Sequence, residues 1–329
     1  MPRRAVAFGC EGLRLTSAER QFFARADPFA FILFARNIEA PGQLRALTAE
    51  LRDTVGWEAP VMIDQEGGRV QRMRAPHWRE YLPALDQMAR AKDPMRAMWI
   101  RNRLIAAELH DAGIDVNCAP VADLLEEHTH PVLRNRVYGG EIATVVEAAR
   151  TCAEALLAGG VLPALKHIPG YGRASVDSHL DLPRVSVSAE NLAARDFAPF
   201  RALRDLPIGM TAHIVFADID PVHPATTSER MIRLIREEIG FSGLLFTDDV
   251  GMNALSGPVA DRAAASLEAG CDIVLHCSGD LAEMQAVASA CRLMDGAGNA
   301  RADAALSKRK APVPVDIPAL EAEFRTLLT

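Results

Sequence analysis

Eight short apolar runs recur along the chain, each five or six residues long and with few charges. Runs of this kind are typical of strands that are buried on both faces of a parallel sheet. They lie at residues 5–9, 30–35, 60–64, 115–120, 162–167, 208–213, 243–248 and 272–276. The pattern therefore predicts eight buried, parallel strands.

Amphipathic stretches separate most of these runs. Pro41 suits the first turn of a helix, and the residues that follow it place Leu44, Leu47, Leu51 and Val55 on one helical face. Glycines placed as C-terminal caps follow several of the other stretches. These further helices are predicted at 95–112, 142–158, 228–239, 259–269 and 281–293.

The alternation of strands and helices predicts an α/β fold, a (β/α)8 barrel of the TIM type. An open, doubly wound sheet is the alternative, but no GxGxxG motif follows the first run, which disfavours it. We expect a single barrel domain over residues 1–329. Its proline-containing tail, from about Ser307, is expected to wrap the surface before a short last helix.

Charge and composition narrow the possible partners. The formal net charge is −7, without the basic excess of a phosphate-binding surface, so nucleic acid is not expected as a partner. No window approaches the ~20 apolar residues of a membrane span, so no membrane partner is expected, and the stretch after Arg3 and Arg4 is too short for a signal peptide. The six cysteines form no CxxC pair, which disfavours a zinc site or a disulfide framework. We therefore expect a cytoplasmic protein with reduced thiols.

Charged or titratable residues end four of the predicted strands. They are Asp64, Lys166 with His167, His213, and Asp248 with Asp249. Any one of them alone could form an ion pair or cap a helix. Barrel enzymes, however, build their sites at the C-terminal ends of the strands, so four such ends together predict an active site there.

Two groups with the chemistry of glycoside hydrolysis are present. Asp248 is placed to attack from the barrel mouth, and the loop after the fifth strand carries Asp177 and His179. A histidine with an ordinary pKa of ~6.5 can donate and then accept a proton at neutral pH. The nearby Asp177 could orient the ring. Spacing alone nevertheless favours an ordinary loop histidine beside a solvated carboxylate.

Seven sequence segments, in one order, are distributed over most of the chain. They are ILFARN at 32–37, DQEGGRVQRMR at 64–74, GIDVNCAPVADL at 113–124, KHIPGYGRASVDSHLDLP at 166–183, MTAHIVFADIDPVHPATTS at 210–228, GFSGLLFTDDVGMNAL at 240–255 and AGCDIVLHC at 269–277. With them the chain resembles the bacterial β-N-acetylglucosaminidases of glycoside hydrolase family 3, of the cell-wall recycling type. The DSH and TDD segments together make the resemblance highly specific.

The resemblance implies a role for each matching residue. Asp248 would be the nucleophile, Asp249 a structural neighbour, His179 the general acid/base and Asp177 its partner. The implied mechanism is a retaining double displacement through a glycosyl–aspartate, with no cofactor and no metal. The implied substrate-binding residues are Asp64, Arg72, Arg136, Lys166, His167 and His213. For His213, direct contact with the substrate and support of the site from behind are equally open alternatives.

The resemblance also implies the substrate. By this resemblance the protein would be an exo-acting enzyme that hydrolyses terminal β-1,4-linked GlcNAc, with GlcNAc-containing muropeptide fragments as its small-molecule partners. The natural substrate would be GlcNAc-1,6-anhydro-MurNAc, with or without its peptide, in peptidoglycan recycling. Three alternatives stay open: a GlcNAc-specific phosphorylase, a β-glucosidase, which the DSH segment disfavours, and a non-catalytic sugar-binding barrel.

Two positions depart from the family pattern. The family usually reads PGHG in the catalytic-loop segment, and this chain has Tyr171 in place of the histidine. The family usually reads VIGxR before the substrate-binding arginine, and here Arg134 replaces the glycine two positions before Arg136. We expect Arg134 to change the path of this loop and with it the placement of Arg136.

Overall fold

A closed barrel of eight parallel strands forms the centre of the computed structural model, which describes residues 2–178 and 180–329. The strands are β1 (Arg4–Phe8), β2 (Pro28–Leu33), β3 (Val61–Ile63), β4 (Val116–Asn117), β5 (Leu162–Ile168), β6 (Ile208–Thr211), β7 (Leu244–Asp249) and β8 (Ile273–His276). They follow one another around the barrel in chain order. Every predicted run forms one of these strands, so the predicted (β/α)8 barrel is confirmed.

The barrel closes between its first and last strands. β1 pairs in parallel with β8, where Val6 lies opposite Val274 and Phe8 opposite His276, and it also pairs with β2. Since all neighbouring strands run in the same direction, their C-terminal ends meet at one rim. Polar residues that follow different strands are therefore brought together there.

Helices cover the outside of the barrel. They are α1 (Ser17–Ala26), α2 (Pro41–Val55), α3 (Ala84–Arg90), α4 (Pro94–Asp111), α5 (Pro131–Arg134), α6 (Ile142–Ala158), α7 (Ala189–Ala194), α8 (Ala198–Ala202), α9 (Glu229–Glu237), α10 (Val259–Ala269), α11 (Leu281–Ala290), α12 (Gly296–Leu306) and α13 (Ile317–Leu328). The six predicted helices correspond to α2, α4, α6, α9, α10 and α11. No helix within the described ranges is long and apolar enough to cross a membrane.

The end of α11 differs from the prediction, which extended the helix to residue 293. The helix ends at Ala290 because the next residues pair with the start of the chain. The Ala5 N–H donates to the Arg292 carbonyl oxygen over 2.9 Å, and the Met294 N–H donates to the Arg3 carbonyl oxygen over 2.9 Å. A backbone group that is hydrogen-bonded to the start of the chain cannot also form a helical hydrogen bond, so the helix does not extend through these residues.

The C-terminal helix α13 packs against α4. Nε and Nη2 of Arg96 each donate to the Glu323 carboxylate over 2.7 Å. Nη2 of Arg79 donates to the Glu321 carboxylate over 2.8 Å. Between α12 and α13 the chain crosses the end of α6, where the Val313 N–H donates to the Ala158 carbonyl oxygen over 2.8 Å. The last residues of the chain are thereby joined to the outer face of the barrel.

Candidate active site

A pocket opens at the C-terminal rim of the barrel and collects most of the predicted site residues. Its wall includes Asp64, Arg72, Arg136, Lys166, His167, Asp177 and Asp248. These side chains come from the ends of β3, β5 and β7 and from the loops that follow β3, β4 and β5. Of the two other predicted residues, His213 does not line the pocket, and His179 lies outside the described residues.

Asp64 follows β3 and is held by two cations. Its carboxylate oxygens lie 2.7 Å from Lys166 Nζ and 3.1 Å from Arg72 Nη2. Burial alone would raise the pKa of Asp64, but the charges of Lys166 and Arg72 hold this pKa well below its usual range. The carboxylate therefore stays ionised and can accept hydrogen bonds from sugar hydroxyls.

Glu66 is a buried member of the same network that the sequence analysis missed. Its carboxylate lies 2.7 Å from Lys166 Nζ and accepts from Arg136 Nε over 2.9 Å and from Arg136 Nη2 over 2.8 Å. Burial opposes ionisation, yet these cations lower the pKa of Glu66 to about 2. The signal was present, because residues two apart in an extended segment share one face, and Glu66 stands two residues after Asp64.

Arg136 reaches the pocket despite the departure at Arg134. Its guanidinium forms the two-pronged pair with Glu66, and Nη2 lies 3.4 Å from Nε2 of His167. The Arg134 side chain is exposed on α5 and is not among the residues that line the pocket. The substitution of the family's glycine by Arg134 therefore leaves Arg136 in position.

His167, at the end of β5, is oriented by a second residue that the sequence analysis missed. Its Nδ1 lies 2.7 Å from Oδ2 of Asp123, a carboxylate with no solvent exposure. Because the carboxylate accepts the Nδ1 proton, Nε2 is left as the acceptor that faces Arg136. Asp123 thus sets both the ring orientation and the tautomer of His167.

Asp248 lies half-buried near the end of β7 with its carboxylate on the pocket. One carboxylate oxygen accepts from the Asp249 backbone N–H over 2.9 Å. Burial raises the pKa of Asp248, but the nearby imidazoles of His213 and His167 outweigh burial and lower this pKa below its ordinary value. Asp248 is therefore an ionised carboxylate at neutral pH.

The Asp249 carboxylate is hydrogen-bonded to backbone groups of the protein. Oδ1 accepts from the Gly251 N–H over 2.9 Å and from the Cys277 N–H over 3.2 Å. Burial raises the pKa of Asp249, in contrast to that of Asp248. The sequence alone could not choose between the two neighbours, and these contacts favour Asp248 as the group available for chemistry.

His213 lies behind the pocket wall, whereas it was expected among the substrate-binding residues. Its Nδ1 lies 2.8 Å from Thr226 Oγ1, and Nε2 lies 2.9 Å from the Asp249 carbonyl oxygen. Burial lowers the pKa of this imidazole. Since both ring nitrogens are engaged by protein atoms, His213 supports the end of β7 from behind and does not line the pocket.

The loop after β5 brings Asp177 and Ser178 to the pocket wall. The loop ends at residues Arg184–Val185, which pair with Val215–Phe216 after β6. Within residues 2–178 and 180–329, no three His, Cys, Asp or Glu side chains are grouped as a metal ion would require. Among the described residues the pocket therefore combines carboxylates, arginines, a lysine and an imidazole, which is chemistry suited to polyhydroxylated ligands.

Comparison with known proteins adds a family match to this geometry. The family model described as the glycosyl hydrolase family 3 N terminal domain matches residues 13–307. A β-hexosaminidase of Alkalilimnicola ehrlichii is 39% identical over 281 residues, which cover 83% of this chain and 80% of the relative.

Two solved structures share the fold over nearly the whole chain. NagZ from Neisseria gonorrhoeae, in complex with N-trifluoroacetyl-D-glucosamine, superposes with a TM-score of 0.88 and 30% identity, over 100% of this chain and 99% of that one. A glycoside hydrolase family 3 β-N-acetylglucosaminidase from a Paenibacillus strain superposes with a TM-score of 0.82 and 28% identity, over 99% of this chain and 62% of that one.

Proposed function

Since this chain belongs to glycosyl hydrolase family 3 and is a β-N-acetylhexosaminidase, we propose that it removes terminal β-1,4-linked GlcNAc with retention of configuration. The observation that carries this proposal is the pocket itself. An ionised Asp248 lies on its wall together with the loop residue Asp177 and the charged network around Asp64. Attack, proton transfer and sugar binding are thereby assigned to separate groups.

Asp248 is the proposed nucleophile. Its pKa lies below the ordinary aspartate value, so the carboxylate is ionised, and the one backbone N–H that it accepts from within the described residues leaves lone pairs for the anomeric carbon. In the first step, a carboxylate oxygen bonds to C1 as the bond to the aglycone oxygen breaks. In the second step, water attacks C1 and Asp248 leaves as a carboxylate. Two inversions at C1 give overall retention.

His179 is the proposed general acid/base, and Asp177 the residue that orients it. His179 gives its proton to the departing aglycone oxygen in the first step and takes a proton from the attacking water in the second. This assignment is supported by the family's DSH motif and by the position of Asp177 and Ser178 on the pocket wall. A histidine is suited to both steps because its ordinary pKa is ~6.5.

The network around Lys166 is proposed to hold the GlcNAc ring. Asp64 offers carboxylate oxygens to sugar hydroxyls, while Arg72, Lys166 and Arg136 are donors. His167 presents an oriented ring nitrogen beside Arg136. Because Lys166 lies between two carboxylates, the donors and acceptors are fixed in place before the sugar arrives.

We propose GlcNAc-1,6-anhydro-MurNAc, with or without its peptide, as the natural substrate in peptidoglycan recycling. The sugar-binding half of this proposal is supported by the N-trifluoroacetyl-D-glucosamine bound to the related NagZ. A cytoplasmic location is part of the proposal, and the six free, buried cysteines agree with a reducing compartment.

The test measures hydrolysis of p-nitrophenyl β-N-acetylglucosaminide, with the p-nitrophenyl β-glucoside as the control substrate. The wild type should cleave only the GlcNAc substrate, and proton NMR should show the β anomer as the first product. Asp248→Ala should lower kcat by on the order of 10⁴-fold or more, because the nucleophile is lost. His179→Ala should lose less on this activated leaving group than on GlcNAc-1,6-anhydro-MurNAc, because p-nitrophenolate needs little protonation.

Each competing function has its own outcome in the same assay. Equal cleavage of the glucoside would identify a β-glucosidase. A rate that depends on inorganic phosphate and yields a sugar 1-phosphate would identify a phosphorylase. No turnover of either aryl substrate or of the anhydro-disaccharide, with binding of GlcNAc retained, would leave a sugar-binding barrel.

A further inference from the structure

Tyr171 begins the loop that carries Asp177, and its hydroxyl contacts that loop on both sides of Asp177. The hydroxyl accepts from the Ser178 backbone N–H over 2.9 Å and donates to the Val176 carbonyl oxygen over 3.3 Å. One side-chain oxygen therefore ties together the peptide groups before and after the carboxylate. The Tyr171 side chain is itself buried, with 5% exposure, so this contact is shielded from water.

The position of Tyr171 is set by the wall of the sugar pocket. Its backbone N–H donates to Oδ1 of Asp123 over 2.6 Å, and Oδ2 of the same carboxylate holds His167. The rings of Tyr171 and His167 lie 5.7 Å apart, centroid to centroid. The buried Asp123 carboxylate thus fixes two residues of the pocket wall at once.

The loop is also tied to the segment that follows the proposed nucleophile. The Ser178 carbonyl oxygen accepts from the Ala254 N–H over 3.1 Å. The Ser178 peptide therefore bridges Tyr171 on one side and the chain after Asp248 on the other. Burial raises the pKa of Tyr171 to about 12, so the hydroxyl keeps its proton and stays a donor at working pH.

We propose that Tyr171 is a positioning residue for the acid/base step, whose hydroxyl holds the backbone on both sides of Asp177 in place at the pocket wall. The inference rests on the proposed function, because it concerns the loop that carries the proposed acid/base pair. The imidazole usual in the family at this position is shorter than a phenol and cannot place an oxygen between the same two peptide groups. The tyrosine is thus this chain's own means of holding the loop.

Tyr171→Phe tests the proposal, since it removes only the hydroxyl. The matched control is Tyr138→Phe, because Tyr138 is equally buried and its hydroxyl faces Cys152 on α6, away from the pocket. The measured quantity is kcat/KM for the phenyl and p-nitrophenyl β-N-acetylglucosaminides. We expect Tyr171→Phe to lose about 10-fold or more on the phenyl substrate and less than about 3-fold on the p-nitrophenyl one, because proton donation to the poorer leaving group is impaired.

Amide hydrogen exchange supplies a readout that is independent of turnover. The Ser178 N–H should exchange faster in Tyr171→Phe than in the wild type, and it should be unchanged in Tyr138→Phe. Thermal unfolding of both variants identifies any general loss of fold. Equal losses on the two substrates, or a Tyr171→Phe profile that matches Tyr138→Phe, would overturn the proposal.

His179→Ala separates this inference from the function on which it rests. If His179→Ala loses no more on the phenyl substrate than on the p-nitrophenyl one, the acid/base assignment itself fails. If His179→Ala shows that difference and Tyr171→Phe does not, only the role of Tyr171 fails.

Discussion

Two adjacent aspartates at the end of β7 differ in what their oxygens accept. Within the described residues, Asp248 receives one backbone N–H, whereas Asp249 receives two and joins the ends of β7 and β8. Their pKa values accordingly move in opposite directions, down for Asp248 and up for Asp249. At the scale of the residue, the environment separates two identical side chains into a chemical group and a structural one.

Asp249→Ala should therefore lower stability, while Asp248→Ala should lower activity. Removing the Asp249 carboxylate leaves two backbone donors without their partner, which costs about 1–3 kcal/mol in the free energy of unfolding. Asp248→Ala should unfold at the same urea concentration as the wild type or a higher one. Urea unfolding followed by circular dichroism measures both, and a larger loss of stability in Asp248→Ala would contradict the separation.

At the scale of the element, the strands were predictable and some of the contacts between loops were not. Strands buried on both faces are continuous apolar runs, so the sequence shows all eight directly. Helix α1 was not predicted, although Thr16 and Glu19 form a capping box that marks its start. The end of α11 was overestimated because pairing with the start of β1 and the residue before it is a tertiary effect that no local pattern records.

In the site, too, some residues could be predicted from the sequence and others could not. Residues at strand ends were predicted because their position follows from the strand itself. Asp123 was missed because its contact depends on how separate loops meet, and the Tyr171 hydroxyl contacts were missed because they depend on how one loop folds back on itself. Glu66 could have been predicted from Asp64, because residues two apart in an extended segment share one face. For His213, direct contact and support from behind were left equally open, and its hydrogen bonds place it behind the pocket wall.

Gly172 shows how closely two of these loops approach. A Cβ at this position would lie 2.0 Å from the Leu124 carbonyl oxygen, so the loops after β4 and β5 pack backbone against backbone. Gly172→Ala should cost about 1–3 kcal/mol in stability, because the loop must shift to admit a methyl group. Gly12→Ala is the matched control, since nothing lies within 4 Å of its Cβ.

Thermal unfolding and kcat/KM on the p-nitrophenyl substrate measure this effect. Gly172→Ala should lose both stability and rate, and Gly12→Ala should match the wild type in both. A Gly172→Ala protein with wild-type stability would show that the loop after β5 accommodates the methyl group freely.

At the scale of the whole molecule, buried carboxylates make stability depend on pH. The cations of the pocket hold the pKa values of Asp64 and Glu66 below those of the unfolded chain. As the pH falls below about 4, the unfolded chain binds protons that the folded chain still excludes, so folding becomes less favourable. Glu108 and Asp196, whose pKa values are raised by burial, act in the opposite sense.

The free energy of unfolding should therefore fall as the pH is lowered from 5 towards 2. Its slope against pH should be smaller in Glu66→Gln, because the glutamine side chain takes up no proton in this range. The matched control is Glu80→Gln, because Glu80 forms an exposed pair with Arg74 at 2.7 Å that contributes little. Urea unfolding at several pH values gives the slopes. A Glu66→Gln slope equal to that of the wild type would show that Glu66 does not carry this dependence.

The pairing of β1 with β8 has a consequence during synthesis on the ribosome. Val6 lies opposite Val274, so the first strand leaves the ribosome long before its final neighbour has been translated. At 5–20 residues per second, one edge of β1 stays open for roughly 15–50 s. An unpaired edge is a template for pairing with other chains. The nascent protein is thus most exposed to aggregation before its last strand emerges, and a chaperone that binds this edge protects it best in that interval.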